Sequence, residues 1–213
     1  MLKTLIMLTT STLLASAAQA ETFSADVWVD NWFSMSVDGR QVAEDSVPIT
    51  TERSFNAESF TFEAERPFVI GLTMKDFKEN DTGLEYIGTP RQQLGDGGAI
   101  LQIHDADGAL VAVSDSGWQC LVVHKAPLDP ACAGESEPTA GEGACGFAIT
   151  EEPEGWNTAD FDASGWTAAT EHSVREVGPK DGYDHIDWDA SAELIWGPDL
   201  KTDNTILCRL TVE

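Results

Sequence analysis

Phe68-Val69-Ile70-Gly71-Leu72-Thr73-Met74 is the stretch that decides the fold class. Phe68, Ile70, Leu72 and Met74 recur at every second position with smaller or more polar residues between them, so an extended chain turns one apolar face toward a core. The same period runs through Phe33, Met35 and Val37, against Ser34 and Ser36, and through Ile206, Cys208, Leu210 and Val212, against Leu207, Arg209 and Thr211. Between such segments lie Val37-Asp38-Gly39-Arg40, Gly95-Asp96-Gly97-Gly98 and Asp105-Ala106-Asp107-Gly108, whose Asp and Gly residues suit hairpin turns. Strands with one apolar face pack as two sheets, so the expectation is an all-β protein built as a β-sandwich. Only 158–170 reads as a short helical turn, and no internal repeat is visible.

Working outward, the N-terminus carries Met1-Leu2-Lys3, an apolar run from Leu5 to Leu14 and small residues from Ala15 to Ala20. This is the layout of a secretory signal peptide, with cleavage expected after Ala18-Gln19-Ala20. The apolar run is shorter than the roughly 20 residues a spanning helix needs, so no membrane insertion is expected. The remaining 21–213 segment reads as one domain, placed in the periplasm or secreted. Loss of Lys3 with the leader moves the formal charge from -25 to -26. So acidic a body repels nucleic acid and anionic membrane surfaces, and its carboxylates read first as a solvated face. Four cysteines in an exported chain read as two disulfides. Three connectivities are possible. The preferred one joins Cys132 to Cys145, closing the Gly/Pro/Glu-rich insertion at 127–153, and Cys120 to Cys208, joining two strand-like segments. A thiolate metal site is disfavoured, because none of the four forms a Cys-x-x-Cys pair.

Several segments, in order, resemble the galactose-binding-like jelly-roll family of lectin-like β-sandwich modules. They are Val29-Asp30-Asn31-Trp32-Phe33 through Asp38-Gly39-Arg40, Ser114-Asp115-Ser116-Gly117-Trp118, Gly155-Trp156 through Phe161-Asp162-Ala163-Ser164-Gly165-Trp166, and Ala192-Glu193-Leu194-Ile195-Trp196 with Leu207-Cys208-Arg209-Leu210. The resemblance implies a carbohydrate-binding β-sandwich, with calcium or sugar contacts near Asp30 and Asn31. The chain departs from it in two places: Asp30-Asn31 stands where many relatives have two aspartates, and the 127–153 insertion has no counterpart.

Read from the residues alone, Trp118, Trp156, Trp166 and Trp196 are packing aromatics, and Asp160 to Ser164 is a turn. The candidate ligand loop is 76–98, with Asn80, Asp81, Tyr86, Arg91, Gln92 and Asp96. Arginine is scarce here, and Arg91 beside Tyr86 combines a hydrogen-bonding fork with a ring to stack on. The plainer reading pairs Arg91 with a neighbouring carboxylate. A second polar and aromatic loop, 180–189, either faces the first or forms its own site. There is no Gly-x-Ser-x-Gly elbow, His-Glu-x-x-His helix or phosphate loop. The expected function is therefore a non-catalytic binding module for carbohydrate or another extracellular polymer, with calcium as the candidate cofactor at Asp30 and Asn31. The rivals are a periplasmic metal-binding protein and a hydrolase using a carboxylate pair.

Overall fold

The computed structural model describes residues 20–54 and 56–213, so nearly all of the expected signal peptide lies outside the described residues. Among the described residues fifteen strands are formed: β1 (Glu21–Asp30), β2 (Trp32–Val37), β3 (Arg40–Glu44), β4 (Asn56–Ala64), β5 (Phe68–Lys75), β6 (Leu84–Glu85), β7 (Gln93–Leu94), β8 (Gly98–Asp105), β9 (Leu110–Val113), β10 (Gln119–Lys125), β11 (Ala148–Ile149), β12 (Thr167–Ala168), β13 (Thr170–His172), β14 (Leu194–Trp196) and β15 (Asp203–Val212). One sheet runs β13-β14-β8-β1-β4 with β9 beside β8, and the other runs β11-β10-β15-β5-β2-β3 with β12 beside β10. The chain passes from one sheet to the other and back along its length, the wrapping that makes a jelly-roll sandwich.

The period-two segments supply the interior. Phe23, Val27 and Val29 of β1, with Leu101 and Ile103 of β8, meet Phe33 and Met35 of β2, Ile70, Leu72 and Met74 of β5, and Ile206 and Cys208 of β15 in one buried cluster. Leu207 and Arg209, on the opposite face of β15, are buried as well. That face is covered by the segment carrying Trp156, and Asn157 Nδ2 donates to Ser36 Oγ at 2.8 Å. Trp118, Trp156 and Trp196 are buried as expected of packing residues, and Trp166, half-buried, stacks on Trp156.

Both disulfides are formed, Cys120–Cys208 and Cys132–Cys145. Cys120 and Cys208 stand directly opposite each other on β10 and β15, so the ladder itself sets their approach. Loop-closure entropy assigns them about 4–5 and about 3 kcal/mol respectively, since the first spans a separation of 88 residues and the second 13.

Asp38 and Gly39, both at positive φ, make the β2–β3 hairpin, and the turn at 105–108 joins β8 to β9. Gly95-Asp96-Gly97-Gly98 is not a hairpin: β7 pairs with β6, whereas β8 pairs with β1. The glycines serve close approach instead, as a Cβ at Gly95 would fall 1.8 Å from Asp76 Oδ2. The 158–170 segment forms turns and short strand rather than helix. The α-helix among the described residues is Val174–Val177, opened by a capping box between Ser173 and Glu176.

Candidate functional site

Three strand ends from the two sheets converge on a buried cluster of carboxylates. Asp30 is the last residue of β1 and stands opposite Gly98 at the start of β8. Asp76 immediately follows β5, where its amide donates to the Asn204 carbonyl at 2.9 Å. Asp96 lies two residues before β8. One oxygen from each of Asp30, Asp76 and Asp96 falls within 4.8 Å of the other two, among the described residues the one acidic grouping with this geometry.

The carboxylates differ in what answers them. Lys180 Nζ donates to Asp96 Oδ2 at 2.7 Å and to Asp30 Oδ2 at 3.3 Å. Asp30 Oδ1 and both oxygens of Asp76 are buried without a hydrogen-bond partner. The Phe77 amide pulls the Asp76 carboxyl down slightly, but its hydrogen bond goes to Asn31 Oδ1 at 2.5 Å. Glu85 lies nearby, 1 % exposed, with Oε2 accepting from Gln93 Nε2 at 2.8 Å and Oε1 unpartnered. Burial, and then the neighbouring acids, hold Asp76 well above the usual carboxylate range and push Glu85 up to about 8. Asp30 is raised by burial and Asp96, against the pull of Lys180. Lys180 is itself raised, because the attraction of Asp30 and Asp96 outweighs its own desolvation. The donor set is oxygen only, which suits a hard cation such as Ca2+ and no soft metal.

The exposed part of the 76–98 loop is a different kind of surface. The Arg91 guanidinium lies 4.1 Å from the Tyr86 ring centroid, and among the described residues Arg91 forms no ion pair. Burial, and then the Glu52 carboxylate, push the Tyr86 hydroxyl up. Beneath the pair, Leu84 packs with Cys132 and Cys145, flanked by Ile87, Leu94 and Ala133. Gln92 Nε2 donates to the carbonyls of Ala133 and Glu135, at 3.0 and 2.8 Å, and its Oε1 accepts from the Gly88 amide. The disulfide-closed insertion is thus the floor of the loop.

The structure therefore distributes the candidate residues among three jobs. Tyr86 and Arg91 are presented outward, while Gln92 ties the loop down. Asn80 Oδ1 caps its own turn at the Thr82 amide, and Asp81 Oδ1 pairs with Lys78 Nζ and His124 Nε2. Asp30 and Asp96, assigned from sequence to separate sites, share the acidic centre. Asn31 does not contribute to it, since its side chain bridges the Phe77 amide and the Glu52 carbonyl. The 76–98 and 180–189 loops do face each other, through Lys180 and Asp96. Asp76, Glu85 and Lys180 were not singled out from sequence. The scarcity of positive charge that drew attention to Arg91 applied equally to Lys180. Set against protein-family models, curated proteins and solved structures, the chain finds no match in any of the three.

Proposed function

We propose that this chain is a non-catalytic extracytoplasmic binding module for carbohydrate or another extracellular polymer, with Tyr86 and Arg91 as its principal contacts. The observation that carries this reading is the Arg91–Tyr86 stack on an exposed loop anchored from below by the Cys132–Cys145 segment. A flexible arginine held over a ring by one cation–π contact of about 0.5–1 kcal/mol contributes little to an exposed loop. Held there, it offers a planar fork of donors and an apolar face side by side, the combination that polyhydroxylated or acidic polymers engage. The adjoining groove, lined by Gln93, Leu94, Asp96 and Lys201, extends the surface with donors and acceptors of both signs.

The test is a glycan-array screen of the oxidised protein, run with calcium and with a chelator. Binding that is lost in Tyr86→Ala and in Arg91→Ala supports the reading. No binding in either condition, or binding that both variants retain, overturns it.

A further inference from the structure

We propose that Asp30, Asp76 and Asp96 form a site for a hard divalent cation, calcium in preference to magnesium, and that Lys180 is the counter-ion the metal displaces. An acidic cluster alone says little in a chain with 37 acidic residues. Here two further observations point to a ligand. Asp76 is 2 % exposed and neither of its oxygens has a hydrogen-bond partner, and Asp30, fully buried, leaves Oδ1 unpartnered on the same cluster. Buried polar groups in folded proteins are almost always paired, and an unpaired charge is among the costliest exceptions. Three unpaired oxygens on one cluster are the arrangement an ion would satisfy at once.

Coordination and charge narrow the ion. Calcium takes about 6–8 oxygen ligands in an irregular shell, whereas magnesium demands near-ideal octahedral geometry and keeps several of its waters, so a buried set of protein carboxylates suits calcium better. The three carboxylates carry three formal negative charges, so once the Lys180 ammonium has left, a divalent ion offsets two of them where a monovalent ion offsets one. The way in passes Asp96 and Lys180, whose side chains are 34 % and 39 % exposed. Lys180 sits on a loop with its side chain partly open to solvent, so its ammonium can move toward water as the cation enters.

The inference is independent of polymer binding, and its readout needs no glycan. Calcium and magnesium are titrated calorimetrically, in physiological salt, into chelator-stripped wild-type protein and into Asp96→Asn, Asp76→Asn and Lys180→Gln, each checked for native near-ultraviolet circular dichroism. The expected result is one calcium per chain, bound at least about tenfold more tightly than magnesium. Loss of a ligand in Asp96→Asn should weaken it by at least the roughly 10–100-fold that outer-shell changes cost. Asp76→Asn should abolish it, and Lys180→Gln should tighten it. Asp96→Asn is the variant at the exposed rim, so it keeps the test decisive if Asp76→Asn does not fold. The proposal is overturned if calcium binds neither wild type nor Lys180→Gln, or if binding survives Asp96→Asn unchanged, the mark of scattered surface carboxylates. Weaker binding in Lys180→Gln would sink the exchange, and equal affinity for magnesium would sink the calcium preference.

Discussion

Arg209 on β15 and Asp76, whose amide bonds the Asn204 carbonyl of that strand, are both buried ionisable groups, and the protein treats them in opposite ways. Arg209 Nη2 donates to the Thr158 carbonyl at 2.8 Å, Nη1 donates to the Phe161 carbonyl at 3.3 Å, and the guanidinium lies 5.7 Å from the Phe161 ring. Desolvation lowers its pKa, yet carbonyls brought in by the covering segment answer most of its charge. Asp76 is buried more deeply still, at 2 % exposed against 8 %, and has no such cover. Desolvation raises its pKa, and Asp30, Glu85 and Asp96 add to the rise. The contrast teaches that this fold can satisfy a buried charge with its own backbone, and that at the acidic end it does not.

The sharpest way to break the comparison is to neutralise Asp76. In chelator at neutral pH, Asp76→Asn should stabilise the protein, because it removes a carboxyl whose pKa burial, Asp30, Glu85 and Asp96 raise and whose contribution to stability therefore falls as pH rises. With calcium the same variant should lose the rise in urea midpoint that the wild type shows, because only a state that binds ligand is stabilised by it. A loss of stability in chelator would mean that Asp76 is partnered after all.

Arg209→Met should act in the other direction. It leaves the Thr158 and Phe161 carbonyls without their donor, and a cost of about 2–3 kcal/mol follows from hydrogen bonds to a charged group. Urea unfolding should give the same loss in calcium and in chelator. A calcium-dependent loss would join the two ends of the molecule in one cooperative network and dissolve the contrast.

Asp45 lies between these extremes. Its Oδ1 accepts from the Val47 amide at 2.8 Å, but Oδ2 is buried and unpartnered. Burial raises its pKa from 3.8 to about 6, against the pull of the Val47 amide. A raised carboxyl binds more protons folded than unfolded between those two values, so its contribution to stability falls as pH rises through the window and is flat below it. The stability difference between Asp45→Asn and wild type should therefore move in favour of the variant by up to about 3 kcal/mol between pH 3.5 and pH 8, measured by urea unfolding at each pH. A difference independent of pH would show that Asp45 is solvated in the folded state.

The sandwich was legible because its signal is local. The Phe68–Met74 alternation and the Asp38-Gly39 hairpin are each complete within a few residues. The acidic centre was half legible. Asp30 and Asp96 were picked out, but as members of different sites, because nothing in a single sequence joins positions 66 residues apart. Asp76 was hidden among 37 acidic residues, since its burial is a property of where β5 ends relative to β8 and β15. The glycines from Gly95 to Gly98 carried the missing information in a form that read more simply as a hairpin. A glycine needed so that the backbone clears a carboxylate looks, in sequence, like one needed for a turn. Likewise the insertion at 127–153 was recognised as a disulfide-pinned loop, but its role as the floor beneath Leu84 and Gln92 is a tertiary contact.

The smallest predicted effect on stability falls on the surface assigned to ligand binding, and its smallness is the point. Arg91 is exposed, forms no ion pair among the described residues and contacts Tyr86 through one stack. Surface substitutions away from caps, cores and networks stay within about 0.5 kcal/mol, so Arg91→Ala should leave the urea midpoint nearly unchanged in calcium and in chelator. Gln92→Ala is the control from the next residue. It removes the bonds to the Ala133 and Glu135 carbonyls and should cost roughly 1 kcal/mol. If Arg91→Ala proves as costly as Gln92→Ala, the arginine belongs to the scaffold of the loop and the case for an outward-facing contact falls. If only Gln92→Ala is destabilising, the loop separates into residues that hold it and residues it displays. That is the same division, on a smaller scale, as the one between Arg209, which the fold answers, and Asp76, which it leaves open.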